Sequence, residues 1–349
     1  MKNRTYLLIA FILFVVIGVF FAVPYSPKDA SIGIYWDAIS LLIILFPLIS
    51  FYVIAFPDIN QVSSLYINKY KMRWLSELAI LLGTYATFLG FLSMWTDLAI
   101  SPINNENGQS DLNLLGTSLA IAFITMIYAL VLSFSYYVIS FFLSENDFKP
   151  KEIGNRYISI IIAWLNIIFV YGFTFWILFE IVQIPIMQMI GFNEYTTYML
   201  FLGIAIFFHL QNNSSITNLI INLFNNSKES INEISSQIKA IQNVKRFISG
   251  LMMIAVLFFS TALFFNLTYY IDDVNAVFSL LVPGTQIILW CYVIIILLYV
   301  LEGKYNYKLY LEQGTLDHDN MFLAKYVALP TILYLIMIII LFVLFNVLF

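Results

Sequence analysis

Long apolar runs separated by short polar stretches dominate the chain from end to end. They lie at about residues 6–23, 38–56, 76–95, 114–143, 157–179, 196–210, 247–267, 277–301 and 328–349. A run of about 20 apolar residues is the length at which an α-helix crosses a hydrocarbon core of about 30 Å. Within that core the backbone has no water to bond, and a helix satisfies its own polar groups inside one segment. The pattern therefore predicts an all-α polytopic transmembrane helical bundle of about nine spans.

One stretch has a different rhythm. Residues 211–245 are polar, yet Ile216, Leu219, Ile220, Leu223, Phe224, Ile231, Ile234, Ile238, Ile241 and Val244 recur mostly every three or four positions. That spacing predicts an amphipathic helix continuing span six beyond the membrane. Its apolar stripe calls for a partner, either a second copy of the same helix or the membrane surface. The second copy is favoured, because Lys228, Lys239, Lys245 and Arg246 are offset by Glu229 and Glu233.

Charge supplies the orientation. With nine spans, Lys2, Arg4, Lys69, Lys71, Arg73, Lys149, Lys151, Arg156, Lys228, Lys239, Lys245, Arg246, Lys304, Lys308 and Lys325 fall on one side, and Lys28 falls on the other. Cytoplasmic loops retain positive charge, so the N-terminus is expected in the cytoplasm and the C-terminus in the periplasm of a bacterial inner membrane. The first run, Tyr6 to Val23, is long and ends in bulky residues, which favours an uncleaved helix over a secretory signal. The outer loops are left acidic, with Asp29, Asp37, Asp97, Glu106, Asp111, Glu180, Glu194, Asp272 and Asp273.

Composition narrows the chemistry. Charged residues make up 10% of the chain and hydrophobic residues 62%, far from the soluble norm. The single cysteine, Cys291, rules out a disulfide framework. His209 and His318 stand far apart without an acidic motif, so neither a metal site nor a catalytic triad is expected. No phosphate-binding Gly-rich loop occurs, and the basic residues are too scattered for nucleic acid. The chain is read as a non-enzyme without a cofactor. No acid falls in mid-span, since Asp37, Asp97 and Glu180 sit at outer ends and Glu77 at an inner end. Asn166 and Gln286 are the intramembrane polar residues, expected to bond to neighbouring helices.

Several short segments recur in order. Arg73-Trp-Leu-Ser-Glu-Leu is similar to Arg246-Phe-Ile-Ser-Gly-Leu, and Leu115-Gly-Thr to Pro283-Gly-Thr. Either residues 151–305 are a diverged direct repeat of residues 1–150, or apolar helices resemble one another by composition. The organisation is thus a four-span unit at 1–150, a second four-span segment at 151–305 carrying the amphipathic helix, and a loop with a final span at 306–349.

The richest stretch is Leu78 to Leu143. Gly83, Ala86 and Gly90 in span three, and Gly116, Ala120, Ala122 and Ala129 in span four, place small residues on shared helical faces. Such faces allow close helix packing where no hydrophobic force drives association. Thr84, Thr87, Thr117 and Thr125 accompany them, offering hydroxyls to a pore, a neighbouring helix or their own backbone.

This helical pair resembles the last two spans of the MotA/TolQ/ExbB proton channel family. Gly83-Thr-Tyr-Ala-Thr-Phe-Leu-Gly90 is similar to the family's third-helix Gly-x-Val-Ala-Thr-Val-Leu-Gly pattern. Leu115-Gly-x-x-Leu-Ala-Ile-Ala-Phe-Ile-Thr-Met-Ile-Tyr128 is similar to its fourth-helix pattern. The basic start, the outer hairpin ending in Ile34-Tyr-Trp-Asp-Ala-Ile-Ser-Leu-Leu-Ile and the closing Ala55-Phe-Pro57 extend the likeness over about residues 1–145.

The resemblance implies a homo-oligomeric ring around a partner with one transmembrane helix, whose aspartate carries protons or sodium ions past ring threonines. Thr87 matches the third-helix pore threonine and Thr125 the first threonine of the fourth-helix pair, whose second position is Met126 here. Gly83, Gly90, Gly116, Ala120 and Ala122 would pack the helices. The chain departs from the family at Ala129, where a glycine is usual, at Ile80, where a proline is usual, and in the short loop at about Asp58 to Trp74. Two other readings stay open. One is a substrate transporter built from direct repeats, with span eight broken at Pro283-Gly284. The other is a non-transporting scaffold assembled through the amphipathic helix.

Overall fold

The computed structural model describes residues 38–56, 69–100, 108–143, 157–180, 203, 231–269, 274–313 and 328–348. Among these residues the chain is all-helical. The helices are α1 (Ala38–Ala55), α2 (Lys69–Ile100), α3 (Gly108–Phe142), α4 (Tyr157–Glu180), α5 (Ile231–Tyr269), α6 (Val274–Gln313) and α7 (Ala328–Leu348). Four described segments are long and apolar enough to cross a membrane: Lys69–Thr96, Ala122–Phe142, Ile231–Thr261 and Leu281–Leu309. Ser40–Ala55, Ile161–Phe173 and Pro330–Ile340 are shorter apolar helical stretches. The runs expected at 6–23 and 196–210, Gly203 apart, and the amphipathic segment before residue 231 lie outside the described residues.

Side-chain pairings define the packing. Ser76 meets Ser133, and Gly90 meets Ala122, so α2 and α3 run antiparallel. Glu77 meets Tyr299 and Phe88 meets Tyr292, which sets α2 antiparallel to α6 as well. Lys245 meets Glu302 while Phe259 lies against Gly284, giving the same relation between α5 and α6. On the far side of α1, Asn166 of α4 donates to Ser50 at 2.7 Å, a bond between neighbouring helices. The result is a bundle in which α2 is buried along most of its length, with α1, α3 and α6 packed on it.

The outer faces are apolar. Ile127, Leu130, Phe134 and Phe141 of α3 are exposed, as are Ile162, Leu165, Ile168 and Phe169 of α4. In water these surfaces would be unstable; in a bilayer they meet lipid at no cost.

Two boundaries differ from the sequence expectation. Residues 231–269 form one helix of 39 residues, so the described part of the amphipathic segment belongs to span seven. Its stripe is also already covered: Ile234, Ile238, Ile241 and Val244 are buried in the core of the same chain, while Glu233, Ser236, Lys239 and Arg246 are exposed. The partner is α6, not a second copy or the membrane surface. Residues 302–313 are likewise not a loop, because α6 continues through them for 40 residues in all. Its inward positions keep burying tyrosines beyond residue 301: after Tyr299 come Tyr305 and Tyr307. At 1.5 Å per residue α6 is about 60 Å long, about twice a hydrocarbon core.

Candidate functional site

Antiparallel packing gathers the cations. All Lys and Arg of the described residues, namely Lys69, Lys71, Arg73, Lys239, Lys245, Arg246, Lys304 and Lys308, lie at the end of the bundle where α2 starts and α6 finishes. Several are buried there, together with acids.

Lys245 of α5 is 1% exposed and pairs with the carboxylate of Glu302 on α6. Gln242, one helical turn from Lys245, donates from Nε2 to the other carboxylate oxygen at 3.0 Å. Tyr299, one turn from Glu302, donates its hydroxyl to Glu77 of α2 at 2.7 Å. The Lys245 ammonium also lies 5.4 Å from the centre of the Tyr299 ring. Three long helices are thus joined by one polar cluster. Burying charge away from water is expensive, so each member must be paired or hydrogen-bonded.

An aromatic layer caps this cluster. Trp74 stacks on Tyr299 with centroids 5.6 Å apart and planes at 14°. Its indole fits there because residue 303 is glycine: a Cβ at Gly303 would fall 2.3 Å from the indole nitrogen. Phe56, at the end of α1, meets Trp74 and Tyr307 edge-on at 5.0 and 5.1 Å. Lys71 is buried among these rings, with its ammonium 4.9 Å from Tyr307 and 5.3 Å from Phe56. A cation held over ring faces is attracted by their quadrupoles, by up to about 2 kcal/mol when desolvated.

The threonines expected to line an ion path lie deeper in the bundle. Thr87 is buried and donates to the Gly83 carbonyl at 2.8 Å. Thr84 donates to the Ile80 carbonyl at 2.7 Å. Thr125 is buried on α3 and donates to Ser40 of α1 at 3.1 Å. Met126 places its sulfur 4.0 Å from the Thr84 hydroxyl. Thr87 and Thr125 are therefore hydroxyls of the protein interior, on different helices, each with its proton committed.

Small residues bring α2 and α3 together at this level. A Cβ on Gly83 would lie 2.0 Å from the Ala129 methyl, and one on Gly90 would lie 2.9 Å from the Ala122 methyl. Both helices come close enough that only a glycine facing an alanine fits. The surroundings of Gly116 and Ala120, also on α3, lie outside the described residues.

The buried ionic cluster was not legible as a site, because Glu302 directly follows the apolar run and reads as the start of a loop. Its signal is the spacing Tyr292, Tyr299, Glu302 and Asn306, a helical face that does not stop at residue 301. Among the described residues no group of His, Cys, Asp and Glu has the make-up of a metal site. No family model matches the chain, and neither a curated protein nor a solved structure does.

Proposed function

We propose that the chain is the multi-span subunit of a proton- or sodium-driven energy-transducing complex in a bacterial inner membrane. It has nine spans, with the N-terminus and the cation-rich end of the bundle in the cytoplasm, and it acts without enzymatic chemistry. As the resemblance to MotA/TolQ/ExbB proteins implies, copies form a ring around a single-span partner whose transmembrane aspartate carries the ion. Thr87 and Thr125 supply hydroxyls to its path.

The observation that carries this reading is the burial of ionisable groups between the long apolar helices. Lys245, Glu302 and Lys71 are 1%, 8% and 1% exposed, in a chain whose other charges are few. Burying charge is costly, and its retention among these helices is what supports an ion-linked role. The competing readings have less to rest on. A transporter site at a broken span eight would need the helix interrupted at Pro283-Gly284, yet α6 is continuous there and Gly284 packs on Phe259. A scaffold assembled through the amphipathic helix would need an uncovered stripe, and the stripe from Ile234 onward is covered by this chain.

The test is to purify the tagged chain in mild detergent and identify what accompanies it by mass spectrometry. A stoichiometric companion with one transmembrane helix bearing an aspartate supports the reading. A chain that comes out alone, or with soluble proteins only, overturns it.

A further inference from the structure

A cavity of about 370 Å³ lies between α1, α2, α4 and α6. Along α6 its wall is formed by Gln286, Leu289, Trp290, Val293, Ile296 and Leu297. These positions recur every three or four residues over about 16 Å of helix, so the cavity is a slot elongated along the helix axes. Leu89 of α2 and Ile167 of α4 line the facing walls.

The ionic cluster fixes its depth. Counting along α6 from Glu302, the slot begins about 8 Å away at Leu297 and ends about 24 Å away at Gln286. If the charged layer marks one membrane interface, that is the middle of a hydrocarbon core of about 30 Å. The lining is almost wholly apolar. Water needs two to four polar partners in such a place, and an apolar cavity of about 150 Å³ is known to accept a hydrocarbon guest. The slot also lies one helix away from a lipid-facing surface, since α4 presents Ile167 to the slot and Ile168 and Phe169, 65% and 69% exposed, to the outside.

We infer that this slot holds one acyl chain of a membrane phospholipid, lying parallel to the helices between α4 and α6. Its length, its apolar lining and its position at hydrocarbon depth all match an extended methylene chain. A bound chain would wedge α4 and α1 against α6, completing a core that the side chains of the described residues leave unfilled. The inference rests on the membrane placement of the helices and is independent of what the complex powers.

The test uses the full chain in nanodiscs made with a phospholipid carrying a diazirine near the end of one acyl chain. After illumination, cross-linked residues are mapped by peptide mass spectrometry. Cross-links at Leu89, Leu289 or Val293, in addition to those on Ile168 and Phe169, are expected. In Val293→Trp and, separately, in Leu289→Phe, which fill the slot, the inner cross-links are expected to be lost while the outer ones persist. The persisting outer cross-links show that α4 is still in place. Labelling confined to the outer faces of the unaltered chain overturns the inference, as do inner cross-links that survive in both filled variants. Neither outcome touches the search for a single-span companion.

Discussion

The indole N–H of Trp95 on α2 donates to the hydroxyl of Tyr334 on α7 at 3.0 Å, inside the bundle. Tyr334 is bonded in turn to Thr285 of α6, whose own proton goes to the Leu281 carbonyl at 2.7 Å. With that proton committed, the bond between the two hydroxyls must run from Tyr334 to Thr285. The chain Trp95 to Tyr334 to Thr285 to Leu281 therefore has one direction and ties three helices together. Nearby, Tyr292 of α6 bonds Thr331 of α7. The final described helix is thus part of the core and not an appended anchor.

Replacing Tyr334 by Phe removes two of these bonds and strands the Trp95 N–H in an apolar interior. Interhelical hydrogen bonds in membranes average about 0.6 kcal/mol, and a stranded donor adds to the loss, so a cost of about 1–2 kcal/mol is expected. Thermal unfolding in detergent should show a Tm lowered by a few degrees, with Thr285→Val giving a smaller drop.

The contact between Gly83 and Ala129 predicts a reciprocal pair of variants. Gly83→Ala sets two methyl groups 2.0 Å apart and should cost about 1–3 kcal/mol through overpacking. Adding Ala129→Gly relieves the clash and should restore most of the stability. Gly250→Ala is the control: nothing lies near its Cβ position, so better helix propensity should leave Tm unchanged or slightly raised.

For the Lys245 and Glu302 pair, a double-mutant cycle is expected to be strongly non-additive. Lys245→Met or Glu302→Leu alone leaves an uncompensated buried charge and should cost about 3–5 kcal/mol. The double variant replaces the pair with apolar groups of similar size and should be nearer to the parent. Equal, additive losses measured by chemical unfolding would show that the two groups act separately.

Thr87→Val and Thr125→Val bear on the proposed ion path. The Thr87 hydroxyl bonds its own helix backbone, so its loss should barely alter unfolding. Thr125 gives up one bond to Ser40. If the two hydroxyls serve the path, the double variant folds and assembles but loses ion-driven coupling, read as proton or sodium flux in proteoliposomes with the captured partner. Unchanged flux would remove both residues from the path.

The sequence alone determined the class of element and its apolar character. Runs of apolar residues near bilayer length predict helices long and apolar enough to cross a membrane, and the described residues are all-helical with four such segments, since hydration and backbone hydrogen bonding act locally. The small-residue pattern at Gly83, Gly90 and Ala122 was visible for the same reason, being a property of single helices. Which helix faced which was not. The cover on Ile234 and Ile238 comes from α6, far along the chain, and an amphipathic stripe carries no label for its partner. Glu302 looked like a loop residue because exposure was inferred from polarity. Only the packing of α5 against α6 supplies Lys245 and Gln242 to make its burial tolerable. The slot beside Leu289 belongs to the tertiary structure entirely, because a void is a relation among four helices and leaves no trace in any one of them.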